Sequence, residues 1–594
     1  MRHGLLLILA LLSVAAPDSS SQTLIDNFDA SKKLPHWLFS NGAEFPGASG
    51  KLSLGPGHEK RGAILAYRFT CQDQIHCGSY VAAIWKAPRP LEATPGAALS
   101  LWVRFPSDVR LTIRVTDQTG QTLQFHANAP TLEQAASDDW RQIVMPVTDK
   151  TTEHWGGVNN GQLQGSLTSV AILADSGYAH ATQGQMAFDD VRLFTPTDSI
   201  LHLDQTTPLM TAPQGTAELR PRLGVNIHFL HDDRALDLAK DAGFSFVRAD
   251  LLWAKLEKQG RYDFTPFDGL MDSLEARGMG VLWMLAYGHS AHGGPSPQSM
   301  EDIAAYARYA AAAVSHFHGR NVRFEIWNEP NNKRFLPNPS VYPGLLRAAL
   351  DAIRGQDPDA AISTGGTSGI DFPFLAPLLH SGAAQKASAI AIHPYRDAGP
   401  ETLPADLSLL RNLVQHTAAP DIPVWDTEWG YSSYGRDSSV AQKRQAVLTA
   451  RQALTVWALG LPVAVLYDLS DDGADPSNRE QNFGLLHQDN RDKPAMKSIR
   501  ALTTIAQGRT CVGLVRGVPY GVHALRLDGK DDIVFAVWND APGVHPRIQL
   551  APGELLSVSN VFGEPVARQN EMVLEETMGP LYLRLKRRSL PPLR

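Results

Sequence analysis

The rhythm of hydrophobic and polar positions changes twice along the chain. From about residue 24 to 195, apolar and polar residues alternate in short runs. Examples are Ala98-Leu99-Ser100-Leu101-Trp102-Val103-Arg104 and Val109-Arg110-Leu111-Thr112-Ile113-Arg114-Val115. A period of two predicts half-buried strands, and turn signals such as Gln118-Thr119-Gly120 separate the runs. Helical periodicity is scarce, so residues 22–195 are expected to form a β-sandwich. Residues 196–220 carry Pro196, Pro208 and Pro213 among many Thr and Gln and read as a linker packed over the next domain.

From 221 to 508, apolar runs alternate with longer amphipathic stretches. The predicted strands are Arg222–Ile227, Phe244–Ala249, Gly280–Ala286, Val322–Trp327, Ala361–Gly365, Ala389–His393, Val424–Thr427 and Val463–Tyr467. Asp233–Ala242, Ser299–Phe317, Tyr342–Ile353 and Ala441–Leu459 are among the predicted helices. Eight strand–helix units fit a (β/α)₈ barrel. A doubly wound sheet is disfavoured, because no strand runs into a phosphate-type glycine loop. Residues 509–594 return to short strands, such as Ile533-Val534-Phe535-Ala536-Val537-Trp538, and predict a small C-terminal β-sandwich. The fold class is therefore multidomain, a central (β/α)₈ barrel flanked by two β-sandwiches.

The N-terminus adds an address. Met1-Arg2-His3 precedes the apolar run Gly4 to Ala16, then Pro17-Asp18 and a serine tract. Residues 1–21 have the form of a signal peptide, with Ser13-Val14-Ala15 as a cleavage site. The protein is expected outside the cytoplasm, secreted or periplasmic, with no membrane insertion of the mature chain. In an oxidising compartment Cys71 and Cys77, six apart, are expected to pair, leaving Cys511 as a buried free thiol. The net charge of -7 over 594 residues is spread along the chain, and no basic stripe points to nucleic acid.

Two segments carry the chemistry. Phe324-Glu325-Ile326-Trp327-Asn328-Glu329-Pro330 ends the fourth predicted strand and Val424-Trp425-Asp426-Thr427-Glu428-Trp429-Gly430 the seventh. A carboxylate at the C-terminal end of a barrel strand lies where such folds keep their chemistry, and two of them can divide glycoside hydrolysis. Trp327-Asn328-Glu329-Pro330 followed about one hundred residues later by Thr427-Glu428-Trp429-Gly430 resembles the clan A, or "4/7", glycoside hydrolases. The details lean toward family 39, which includes β-xylosidases and endoglycosidases of bacterial exopolysaccharides.

The resemblance implies that Glu329 is the general acid/base and Glu428 the nucleophile, about 5–5.5 Å apart as in retaining enzymes. The neighbouring charge is expected to raise one carboxyl pKa and supply the proton. By the same resemblance Asn328 donates to the sugar 2-hydroxyl, Tyr395 donates to the nucleophile, and Arg248 faces Glu428 and keeps it ionised. Glu325 and Asp426 are read as inward charges in a network with Arg248. Trp429 is the leading candidate to stack on a sugar ring. His393, Trp283 and Tyr467 are further pocket candidates, with structural placement as the other reading. Asn226 and His228 close the first strand and are expected to anchor the sugar. His228, His231, Asp232 and Asp233 match no ligand spacing, and Asp232-Asp233 reads as a helix start, so no active-site metal or cofactor is expected.

The first sandwich resembles by pattern the jelly-roll accessory modules of carbohydrate enzymes. It holds Trp37, Trp85, Trp102, Trp140 and Trp155, which leaves open a carbohydrate-binding face or a plain supporting domain. Asp189 and Asp190 with Asp29 form a candidate calcium set, since hard cations take oxygen ligands. The resulting expectation is an endo-acting retaining hydrolase of an exopolysaccharide or other polysaccharide. An exo-β-xylosidase, a transglycosylase or a non-catalytic carbohydrate-binding barrel are the alternatives.

Overall fold

The computed structural model describes residues 22–587, except 31, 71–78, 94–95, 106–108, 127–139, 148–150, 152, 177–182, 196–198, 212–217, 397–398, 520, 542–543, 552, 570 and 576–578. The expected signal peptide and the Cys71–Cys77 pair lie outside the described residues.

Eight parallel strands close into a barrel: β1 (Leu223–Asn226), β2 (Phe246–Leu252), β3 (Gly280–Ala286), β4 (Val322–Asn328), β5 (Ile362–Ser368), β6 (Ile390–His393), β7 (Val424–Trp429) and β8 (Ala464–Leu466). Eight helices alternate with them: α1 (Asp233–Asp241), α2 (Thr265–Ala276), α3 (Met300–His316), α4 (Tyr342–Gln356), α5 (Phe372–His380), α6 (Leu403–Gln415), α7 (Ser438–Ala458) and α8 (Pro494–Ala506). All eight strands fall where apolar runs predicted them. Helix starts are legible too. Asp232 caps α1 by accepting from Ala235 N, as its sequence predicted, and Ser299 and Asp302 form a reciprocal capping box at α3. The barrel floor is apolar, filled by Phe246, Leu282, Trp425, Val463 and Val465.

The N-terminal domain is a sandwich of two six-stranded antiparallel sheets. Their facing residues, including Leu65, Leu99, Leu101, Ile113, Val115, Ile172 and Phe188, form a core separate from that of the barrel. Trp37 and Trp85 belong to that core, whereas Trp155 is 44% exposed. Trp102 is half-buried and stacked by His58, with ring centroids 3.7 Å apart. Asp29, Asp189 and Asp190 do not form a cluster of metal-ligating atoms among the described residues. Asp190 pairs with Arg192, Asp29 takes the Arg61 amide and Lys60, and Asp189 accepts from the His58 and Asp190 amides.

Two segments of the stretch read as a linker pair into sheets. Ile200–Leu203 pairs in parallel with Arg547–Leu550, and Leu209–Thr211 pairs antiparallel with Thr510–Val515. Both strands therefore complete sheets of the C-terminal domain, which is built from two separate parts of the chain. That domain docks against the barrel through Leu525, Leu527, Val534, Ala536 and Trp538, which join the barrel core. A buried polar cluster seals the joint: Arg451 of α7 forks onto Glu401 with both contacts at 2.7 Å, and Trp538 Nε1 donates to the same carboxylate. Cys511 is buried and free, as expected.

Candidate active site

Both candidate glutamates sit at strand ends where the regular alternation of side chains breaks. On β4, Ile326 and the following Trp327 both belong to the core behind the sheet, and Trp327 packs against Tyr306 of α3. Two successive residues on one face require a twisted backbone, and Trp327 has φ 76°, with Glu329 at φ 42°. A side chain in that region costs about 1–3 kcal/mol and persists only where the surroundings impose it. The result turns Asn328 and Glu329 together into the barrel mouth. On β7 a register shift between Asp426 and Trp429 has the same effect. Trp425 and Thr427 face inward, the shift follows, and Glu428 faces inward as well.

Arg248 of β2 holds the cluster together. It is 2% exposed and donates in four directions. Nε reaches Glu325 Oε2 at 2.7 Å, Nη1 reaches Glu428 Oε2 at 2.7 Å and Asn226 Oδ1 at 3.1 Å, and Nη2 reaches Asn328 Oδ1 at 2.8 Å. A guanidinium suits this place because its rigid fork meets several acceptors at once. Tyr395 OH donates to the other oxygen of Glu428 at 3.0 Å. Glu325 is fully buried, yet Arg248 and His393 outweigh that burial and hold its carboxyl at about 2. It also accepts from Thr427 Oγ1 and the Gly366 amide. Gly366 has to be glycine, because a Cβ there would lie 2.1 Å from His393 Nε2.

His393 lies between two glutamates, fully buried, with Nδ1 3.4 Å from Glu329 and Nε2 3.6 Å from Glu325. Burial disfavours its charge, but Glu428, Glu325 and Glu329 outweigh it and push the imidazole up to about 9. The consequence reverses an expectation. Burial acts to raise the Glu329 carboxyl, but hydrogen bonds and charge from His393, with hydrogen bonds from Asn332 and Ser368, hold it below the usual glutamate range. Both shifts favour the proton on His393 over Glu329.

Several expected sugar contacts are placed elsewhere. Trp429 is fully buried behind β7 with Arg396 over its ring, and Trp283 is fully buried between Phe267 and Phe317. Neither presents a face to a ligand. Asn226 is buried, its oxygen taken by Arg248 and its amide by His228, so it orients those two groups. Asp426 lies on the outer side of β7, with no hydrogen-bond partner on either oxygen among the described residues. Burial raises its carboxyl well above the usual range, and it stands outside the Arg248 network. Glu325 and Thr427 fill the role assigned to Asp426.

The half-exposed rings at the mouth are Tyr287, Tyr395 and Tyr467, with His228 5.6 Å from Tyr467 and Phe483 5.3 Å from it. His228 donates from Nδ1 to Asp472 at 2.8 Å while Nε2 accepts from Asn226. Sequence reasoning missed Asn332, Asp472 and Phe483. They stand on loops, where no periodicity marks an inward side.

Two sets of metal-ligating atoms come within 4.8 Å of one another among the described residues, His228–Asp468–Asp472 and Glu329–His393–Glu428. In the first, the Nδ1 proton of His228 already joins it to Asp472. The second matters for chemistry: one oxygen from each of Glu329 and Glu428 lies within 4.8 Å of the other.

Residues 220–460 match the cellulase family, glycosyl hydrolase family 5. No curated protein matches the chain. A family 39 glycoside hydrolase from the gut symbiont Bacteroides cellulosilyticus WH2 superimposes with a TM-score of 0.54 at 21% identity, covering 81% of this chain and 95% of that one. The family 39 enzyme of Xanthomonas axonopodis pv. citri gives 0.50 at 18% identity, covering 66% and 97%. At such identity the structures establish a shared barrel fold. With the family match over the barrel itself, they define the chain as a glycoside hydrolase acting on a carbohydrate. The clan A kinship expected from the two motifs agrees with both comparisons; the structural neighbours are family 39 enzymes, whereas the family match is to family 5.

Proposed function

We propose that the protein is a secreted retaining β-glycosidase in which Glu428 attacks the anomeric carbon and Glu329 protonates the leaving oxygen. The observation that carries this reading is the approach of the two carboxylates, oxygens within 4.8 Å. Retaining enzymes hold the pair about 5–5.5 Å apart, and inverting enzymes leave about 6.5–9.5 Å for a water. The Glu428 carboxylate displaces the protonated leaving group to form a glycosyl ester. Water, deprotonated by Glu329, then releases the sugar. Glu329→Ala tests the acid. Turnover of glycosides with poor leaving groups should fall by about 10²–10⁴, while activated aryl glycosides still form the intermediate. Azide should restore turnover and give a β-glycosyl azide. Equal losses on both substrate types would remove Glu329 from this role.

His393 sets the pH profile in this reading. The His393–Glu329 pair holds one proton in the free enzyme and titrates as a unit. A raised imidazole keeps that proton below pH 9 and loses it above, so kcat/KM should decline as pH rises through about 9. In His393→Asn, Glu329 must hold the proton itself, and the upper limb should move several pH units down, toward the carboxyl range. An unmoved limb in the kcat/KM profile would detach His393 from the catalytic proton.

The substrate is proposed to be a polymer, cut internally, because two β-domains accompany the barrel. An endo-acting enzyme lowers solution viscosity before reducing ends accumulate. The N-terminal sandwich has its own core, so a chain beginning at residue 199 should fold and keep its activity on aryl glycosides. It should lose activity on polymer if the sandwich binds glycan. Starting later would strip Ile200–Leu203 and Leu209–Thr211 from the C-terminal sheets. Equal polymer activity in both chains would assign the sandwich a supporting role.

A further inference from the structure

Asp250 stands two residues beyond Arg248 on β2, on the same side of the barrel wall. Its side chain is only partly covered, and among the described residues nothing donates to it. Its charge reaches Arg248, His228 and Tyr287, yet each of the three is engaged elsewhere, Tyr287 with Asn328. Arg248 serves Glu325, Glu428, Asn226 and Asn328, and His228 gives its Nδ1 proton to Asp472. A partly covered carboxylate that no protein group donates to is open to a donor from a ligand.

The position indicates which part of the ligand that is. Glu329, on β4, marks the leaving-group side of the scissile bond. Asp250 on β2, His228 beyond β1 and Asp468 and Asp472 beyond β8 form the part of the rim opposite β5 and β6, where the ring on the other side of the bond has to lie. Three acidic side chains stand there, and the basic group among them, His228, which Asp472 and Asp468 push up to about 9 against its burial, is already paired with Asp472. Asp468 is itself buried, with one oxygen unpartnered.

Resting on the glycosidase reading, we propose that Asp250 is a binding residue for the sugar beside Glu428. It accepts a hydrogen bond from a ring hydroxyl and selects a neutral, hydroxylated glycone against a uronate. A site built around a hydrogen bond rejects the analogue that lacks the group, whereas repulsion between carboxylates disfavours the acid.

The test compares wild type with Asp250→Ala and Asp250→Asn on 4-nitrophenyl β-xyloside, β-glucoside, their monodeoxy analogues and β-glucuronide. Wild type should lose roughly 10²-fold in kcat/KM on one deoxy analogue and at least as much on the glucuronide. Asp250→Ala should lose a similar factor on the parent glycoside and nothing further on that analogue. A uniform loss across all substrates, no loss, or a glucuronide cleaved as well as the glucoside would overturn the proposal. The same glycosides are titrated calorimetrically into Glu428→Gln and Glu428→Gln/Asp250→Ala. There, equal affinities overturn it, and weaker binding by the double variant supports it. Wild type inert on every glycoside would sink the glycosidase reading, with the binding arm still deciding the role of Asp250.

Discussion

Replacing Glu428 by glutamine should leave a folded protein with turnover reduced by roughly 10⁴-fold, equivalent to about 5.4 kcal/mol of barrier. The amide is a poor nucleophile, so no glycosyl ester forms. Folding should survive because the hydrogen bonds can be kept. Arg248 Nη1 donates to one oxygen of Glu428 and Tyr395 OH to the other. The glutamine oxygen can serve Arg248, and the tyrosine hydroxyl can turn to accept from the new amide. Glu428→Ala opens space instead. Azide should then attack the anomeric carbon directly as the bond to an activated leaving group breaks, giving the α-azide from a β-glycoside. Unaltered denaturation with lost turnover supports the assignment. Wild-type turnover in Glu428→Gln contradicts it.

The second large effect belongs to Arg248, and it combines stability with activity. Arg248→Met removes the cation between Glu325 and Glu428. Glu325 has no exposure and would keep only His393 as a charged neighbour, 3.6 Å away. Breaking a buried ion pair from one side costs about 3–5 kcal/mol. Chemical denaturation should show a loss of that order. Activity should fall in step with Glu428→Gln, since the nucleophile loses its anchor and Asn328 its partner. Arg248→Lys should recover part of the stability and little of the activity, because one ammonium cannot reach four acceptors in a fixed geometry. Stability unchanged in Arg248→Met would mean that the buried network contributes nothing net.

The sequence was informative wherever a simple period holds. Barrel strands are buried on both faces and read as continuous apolar runs, so all eight were found. Glu329 and Glu428 were found because a carboxylate at a strand end stands out. Errors came where the period fails. Asp426 was assigned by its parity with Glu428, which the irregularity in β7 breaks, placing Thr427 beside Glu325 instead, and Trp429 was chosen for adjacency to Glu428, although neighbours on a strand face opposite ways. Trp283 obeys the alternation but on the helix side, since a strand covered on both faces offers no polar partner to mark which side is in. The strands at 200–203 and 209–211 pair with residues more than three hundred positions away, and no local pattern announces such pairing. The position of the catalytic proton could not be read either. It depends on His393 packing against Gly366 between Glu325 and Glu329, a geometry set by three strands at once.

A covalent sugar on Glu428 is the expected intermediate, and trapping it is the most direct measurement. The protein is incubated with a 2-deoxy-2-fluoro version, carrying an activated leaving group, of a glycoside that the wild type hydrolyses. Fluorine slows both steps and the leaving group restores the first, so the ester accumulates. Peptide mass spectrometry should find one added glycosyl mass on the peptide containing Glu428, absent from Glu428→Gln. A wild-type protein that hydrolyses the parent glycoside but yields no adduct, or carries it on another residue, would contradict the account.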